Sequence, residues 1–209
     1  MPLFSGHDLT CFRGGRIVFG GLEFGFDPGD ALILVGPNGS GKSSLLRLMT
    51  GLLRPLAGRV QWDGEDIAEE PETHNRRVHY VGHLDAVKPA FTVAENLTFW
   101  AGLRTNGEAV QPALDAFGIR HLSEVPGRFL SAGQRRRLNL ARLKASPGKL
   151  WLLDEPATAL DSRALEQLRA AVASHRADGG MVCAATHADL GLDGASTLDL
   201  AGFGAKDAA

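Results

Sequence analysis

The chain has 209 residues, of which 44% are hydrophobic and 22% charged, an ordinary globular composition with room for one domain with a sizeable core or for two small lobes. Its formal net charge of −2 argues against a global basic field for nucleic acid. Cys11 and Cys183 stand far apart in no metal-ligand spacing, which reads as free thiols in a reducing compartment; Met1 to Phe19 has no signal-peptide pattern, and runs such as Ala31 to Val35 are far short of the ~18 apolar residues that span a bilayer.

Residues 3 to 28 read as short strands separated by turns. Gly14-Gly15 and Gly20-Gly21 punctuate apolar pieces, and Leu22, Phe24 and Phe26 alternate with period two, which predicts a small antiparallel sheet. Phe12 has two readings, stacking on an adenine or packing in the core. Pro28-Gly29-Asp30 turns the chain into the apolar run Ala31 to Val35.

Gly36, Pro37, Asn38, Gly39, Ser40, Gly41, Lys42, Ser43 and Ser44 follow, leading into Leu45-Leu46-Arg47-Leu48-Met49. Strand, glycine-rich loop, Lys-Ser and helix make the P-loop pattern. The glycines let backbone approach a polyphosphate, and the loop N–H groups and helix N-terminus point at the anion. Lys42 is placed to neutralise the β- and γ-phosphates, and the Ser43 hydroxyl to ligate Mg²⁺. This stretch predicts binding of a nucleoside triphosphate.

The helix opened by Ser43 is expected to run to about Thr50 and stop at Gly51. Gly58 to Gly64 reads as a hairpin arm, whereas residues 65 to 76 are polar with little periodic signal. Val78 to His83 reads as a core strand with His83 at its C-terminal end, where ligands sit in open α/β sheets; a lone histidine there is either structural or a ligand contact.

From Thr92 to about Ala145 the composition turns helical, as a lobe inserted between core strands. Thr92 and Glu95 are spaced as a capping box for a helix toward Trp100, and a second helix over Gln111 to Phe117 ends at Gly118. Ser131 and Gln134 form another capping box, with Leu138, Ala141 and Ala145 on one face of the helix. Arg135, Arg136 and Arg137 occupy its first turns, where cations oppose the dipole. They are either a solvated basic face or the sign of a helix start that meets an anion, and the small residues and serine favour the anion.

Lys149 to Leu153 predicts a buried parallel strand ending in Asp154 and Glu155. Asp154 is placed to hold Mg²⁺ through its water shell, and Glu155 to orient or deprotonate an attacking water. Ala159-Leu160-Asp161-Ser162 opens a helix with Leu165, Leu168 and Val172 on one face, ended by Gly179-Gly180. Met181 to Thr186 is a further buried strand with His187, a candidate γ-phosphate contact, at its end. The last residues look frayed.

GPNGSGKS at 36–43, LSAGQ at 130–134, LWLLDEP at 150–156, ALD at 159–161 and Thr186-His187 occur in the order of an ABC-type ATPase. The chain resembles that family over essentially its whole length, and LSAGQ separates it from P-loop kinases and GTPases. The resemblance implies an α/β P-loop NTPase with a mixed-sheet nucleotide core, an N-terminal antiparallel β-subdomain and an inserted helical signature lobe. It makes residues 1–209 one nucleotide-binding domain, with the core at about 1–91 and 146–209 and the lobe at about 92–145. It also implies a head-to-tail dimer, with ATP and Mg²⁺ between Lys42 and Ser43 of one copy and Ser131, Ala132, Gly133 and Gln134 of the other. By position, Phe12 resembles the adenine-stacking aromatic, Glu155 the catalytic carboxylate, Asp161 the residue crossing the dimer interface and His187 the switch histidine. Two positions depart from the pattern: Ala132 stands where glycine is usual, and His83 where the loop normally carries glutamine.

Val81-Gly82-His83-Leu84, then Thr92 to Phe99, and LSAGQRRRLNLARL at 130–143 resemble the ATP-binding subunit of the bacterial heme exporter of cytochrome c biogenesis. That implies a peripheral subunit on the cytoplasmic face of the inner membrane, hydrolysing ATP to drive integral membrane permease subunits, with no nucleic acid partner. The alternatives are an exporter of a drug, lipid or ion, and a soluble ABC ATPase of translation or DNA repair. No Cys-x-x-Cys-His motif is present, so no residue is assigned to heme.

Overall fold

The computed structural model describes residues 1–104, 109–146 and 148–204. The chain opens with β1 (Phe4–Arg13) and β2 (Arg16–Phe26), then β3 (Ala31–Val35) and helix α1 (Lys42–Met49). Strands β4 (Ala57–Trp62) and β5 (Glu65–Asp66) precede α2 (Pro71–Arg77) and β6 (Val78–Val81). Helices α3 (Val93–Gly102), α4 (Val110–Ala116) and α5 (Ala132–Ala145) come next, followed by β7 (Leu150–Asp154), α6 (Ser162–Ala177), β8 (Met181–Ala185) and β9 (Ser196–Asp199). The terminal residues expected to fray, 205–209, lie outside the described residues.

The N-terminal antiparallel sheet is present as expected, while the core sheet, expected to be mixed, is parallel throughout. The antiparallel sheet has the order β2-β1-β4-β5, and the parallel one the order β6-β7-β8-β3-β9. The period-two residues Leu22, Phe24 and Phe26 all turn inward, and Phe24 and Phe26 pack on Phe4 with ring centroids 5.5 and 5.7 Å away.

Strands β7 and β8 are buried along their whole length, which is why they read as unbroken apolar runs. Alternate side chains leave by opposite faces. Leu150 and Leu152 join a cluster with α1 and the antiparallel sheet, and Trp151 and Leu153 join a second cluster with α3, α4, α5 and α6. Because the core strands are parallel, β3, β6, β7 and β8 all end at one edge, the edge at which open α/β sheets bind ligands.

Both predicted capping boxes are present. Thr92 Oγ1 accepts from the Glu95 amide at 3.1 Å, and Glu95 Oε2 accepts from the Thr92 amide at 2.8 Å. Ser131 Oγ accepts from the Gln134 amide at 3.3 Å, and Gln134 Oε1 accepts from the Ser131 amide at 2.8 Å. Two local expectations need correction. Residues 65 to 76, which carry little periodic signal, contain β5 and most of α2. Helix α2 is anchored by His74, which is buried, stacks on Phe4 and donates from Nε2 to the Met49 carbonyl at 2.8 Å. Strand β6 ends at Val81, short of His83, and the Gly82 carbonyl turns to the Arg136 guanidinium instead of a strand partner.

Candidate functional site

A cleft of about 420 Å³ opens where β3 meets α1. Asn38, Gly39, Gly41, Lys42, Ser43 and Ser44 line it on one side, and His83, Asp154 and Glu155 on another. The loop's shape depends on glycine. Gly36 and Gly41 have φ of 132° and 105°, and a Cβ on Gly41 would lie 2.7 Å from the Phe19 ring. Lys42 Nζ donates back to the carbonyls of Gly36 at 2.6 Å and Pro37 at 3.1 Å, so its charge is held over the loop. The Ser40 hydroxyl is buried with no hydrogen-bond partner among the described residues.

Ser43 and Asp154 meet although far apart in the chain: Ser43 Oγ donates to Asp154 Oδ1 at 3.0 Å. Asp154 is almost fully buried at the end of β7. A hydroxyl and a carboxylate oxygen at the mouth of a phosphate loop suit a hard cation such as Mg²⁺, so the residues present fit that ion. Tyr80 lies beside Asp154 and Arg47, and burial pushes its phenol above the usual value.

Glu155 follows in a left-handed backbone with φ of 47°, which carries its side chain out of the strand direction and into the cleft. His187, just past β8, brings Nε2 to 4.0 Å from Glu155 Oε1; its side chain is 75% exposed and it does not line the cleft itself. His83 does line the cleft, from an exposed bend beyond β6.

Phe12 is 51% exposed, which removes the core-packing reading. It pairs with Ile17 near the tip of the β1–β2 hairpin, and the same hairpin puts Arg13, Gly14, Arg16 and Val18 on the cleft wall. Arg13 and Arg16 add positive charge to the lining of the cleft. They carry no motif, so only the hairpin's register could have pointed to them.

Ser131, Gly133, Gln134 and Asp161 gather elsewhere, around a smaller hollow of about 350 Å³ with Arg137 and Ala159. This hollow shares no residue with the P-loop cleft. Ala132 opens α5, and a Cβ on Gly133 would sit 2.9 Å from the Ala159 carbonyl, so the loop after β7 packs directly on the helix start. Asp161 caps α6 by accepting from the Ala164 amide at 2.8 Å, and its other oxygen pairs with Arg137.

The side chains of the three arginines of α5 do not form a solvated basic face. Arg135 donates to the Leu130 carbonyl, Arg136 is buried among backbone carbonyls and Arg137 pairs with Asp161. Internal acceptors thus take up charge that one sequence reading assigned to solvent. Both cysteines are buried free thiols, and burial pushes both of them up, which keeps them protonated and unreactive.

A phosphate loop at the edge of a parallel sheet, a strand ending in two carboxylates and a capped serine helix beside it define a nucleotide-hydrolysing P-loop domain. The model of the ABC transporter family matches residues 19–158, and the chain belongs to that family as an ATP-binding ATPase subunit. It is 56% identical over 205 residues to the cytochrome c biogenesis ATP-binding export protein CcmA of Paramagnetospirillum magneticum, covering 96% of this chain and 94% of the relative. The protein of the same name from Rhodospirillum rubrum is 56% identical over 202 residues, covering 96% and 87% of the two chains. A solved ATP-binding subunit of an ABC transporter shares the fold, with a TM-score of 0.81 at 24% identity over 88% of this chain and 80% of that one.

Proposed function

We propose that the chain hydrolyses ATP as the peripheral subunit of an exporter serving cytochrome c biogenesis. Two copies would pair head to tail, so that Ser131, Ala132, Gly133 and Gln134 of one close over the P-loop cleft of the other. The observation that carries this reading is the separation of two phosphate-suited surfaces on one chain: the P-loop cleft and the Ser131–Gln134 hollow have no residue in common. A second copy would join the two kinds of surface across a shared nucleotide, and Asp161 lies in the hollow that would face the partner. In this reading residues of about 92–145 act as a helical lobe on a core of about 1–91 and 146–209.

The chemistry follows from the cleft. Lys42 Nζ exchanges the Gly36 and Pro37 carbonyls for β- and γ-phosphate oxygens, and loop amides from Gly39 to Ser44 donate to the same anion. Ser43 and Asp154 would hold Mg²⁺, directly and through water; when bound, the ion offsets charge on the phosphates. Glu155 accepts a proton from the water that attacks the γ-phosphorus in line, leaving ADP and phosphate. His187 donates to the γ-phosphate from beside Glu155, and His83 contacts the attacking water or its surroundings in place of an amide. Phe12, exposed near the hairpin tip, offers its ring to the adenine.

Glu155→Gln is expected to keep ATP affinity and lower kcat by ~100-fold or more, the usual contribution of a general base. A variant that turns over at the wild-type rate sinks this assignment.

No helix among the described residues is long and apolar enough to cross a membrane. Membership of the ABC transporter family supports integral permease subunits as the partner, with this chain placed on the cytoplasmic face in this reading. Heme as the cargo is supported by the resemblance over Val81–Leu84, Thr92–Phe99 and Leu130–Leu143 and by relatives named for cytochrome c biogenesis export. A strain carrying Lys42→Ala should then lose covalently attached heme from its c-type cytochromes on heme-stained gels. Normal c-type cytochromes in that strain would reject the cargo.

A further inference from the structure

Arg136 points inward from the first turns of α5 and is only 3% exposed. Its Nε donates to the Pro156 carbonyl at 3.1 Å. Nη2 donates to the carbonyls of Asp154 at 3.0 Å and Glu155 at 2.6 Å. Nη1 donates to the Gly82 carbonyl at 2.8 Å and to Asp85 Oδ1 at 3.3 Å. A guanidinium has five N–H donors in a rigid planar fork, and these acceptors engage all of them. Four are backbone carbonyls just where β6 and β7 end and ladder partners run out. Asp85 also accepts from Asn139 on the next turn of α5, at 3.4 Å.

Two cleft residues depend on these carbonyls. Glu155 has φ of 47°, a conformation disfavoured for a residue with a side chain and kept only where its surroundings impose it. Its amide is tied to the Ala185 carbonyl at 2.8 Å, and its carbonyl to Arg136. On the other side, Gly82 and Asp85 bracket His83, so the same guanidinium grips the loop that carries it.

We infer that Arg136 is a positioning residue: from α5 it holds the left-handed backbone of Glu155 and the Gly82–Asp85 loop, so that the aim of the Glu155 carboxylate depends on where α5 sits. The inference rests on Glu155 being the group that acts on the attacking water. Lysine keeps the charge but offers three donors from one point and cannot span acceptors on two strand ends. Glutamine keeps a planar donor without the charge.

The test uses Arg136→Lys and Arg136→Gln in the full chain assembled with its membrane partner. Both should leave the Kd for ATP unchanged while kcat falls on the order of 100-fold, the cost of a small misplacement of a reacting group. Amide exchange should quicken over Glu155 to Thr158 and stay unchanged in β1 and β2. Added to Glu155→Gln, Arg136→Lys should cost nothing more in single-turnover rate, because the group it positions is already gone. The inference is overturned if Arg136→Lys retains the wild-type kcat, if the loss is equally large in the Glu155→Gln background, or if only KM rises. It is also overturned if both variants are too unstable to assay, which would make Arg136 a stability element. Wild-type turnover in Glu155→Gln alone is a different outcome: it removes the reading of Glu155, and exchange over Glu155 to Thr158 still reports whether Arg136 holds that backbone.

Discussion

At the scale of single residues, the cleft is prepared by internal substitutes for its ligand. Lys42 rests on two loop carbonyls, and Ser43 bonds to Asp154. Each contact occupies a group that a triphosphate or its cation would engage, so binding exchanges partners and does not leave a bare charge. Replacing Lys42 with alanine removes a charge-assisted contact worth about 1.5–3 kcal/mol. The Kd for ATP, read by equilibrium titration, is expected to rise ~10- to 100-fold. An unchanged Kd would mean that Lys42 stays on the loop carbonyls when nucleotide binds. These residues were legible in sequence because the P-loop and the Asp-Glu strand end are local patterns. Arg13, Arg16 and Arg136 were not. Their roles depend on a hairpin's register and on which carbonyls lie across a domain interior, and neither is written in nearby residues.

At the scale of elements, capping chemistry and burial period predicted the helices and strands that have them. Thr92–Glu95 and Ser131–Gln134 open α3 and α5, and the apolar run before Asp154 is β7. Helix α2 escaped because its stability is tertiary, through His74 against Phe4 and the Met49 carbonyl. Strand β9 escaped because it is mostly exposed and shows no alternation. The seam between β6, α5 and β7 holds a second buried histidine. His79 is tied to the Ser146 carbonyl at 3.1 Å, and burial, reinforced by the charge of Arg104, lowers its pKa to about 3. The unfolded chain takes up this proton below about pH 6.5, and the native chain only near pH 3. Stability from this site is therefore full above pH 6.5 and falls as the solution is acidified, by about 2 kcal/mol at pH 5. Urea midpoints at pH 7 and pH 5 should show the drop, and His79→Asn should lessen it. An equal drop in the variant would assign the slope to other groups.

At the scale of the whole molecule, the parallel sheet sets the arrangement. Its strand ends bring the P-loop, His83, Asp154, Glu155 and His187 to one edge, while α5 holds Ser131 to Gln134 on a separate surface. One chain thus carries two separate surfaces, and the proposal stands on their meeting across two copies. Chains bearing Glu155→Gln with Asn38→Cys, mixed with chains bearing Glu155→Gln with Ser131→Cys, test this with a short bifunctional thiol crosslinker. The native thiols are both buried and give little background. The expected result is a crosslinked dimer that forms in the mixture only when ATP is present and in neither variant alone. Crosslinking of Asn38→Cys chains to one another, or a mixed product indifferent to ATP, would contradict the shared site.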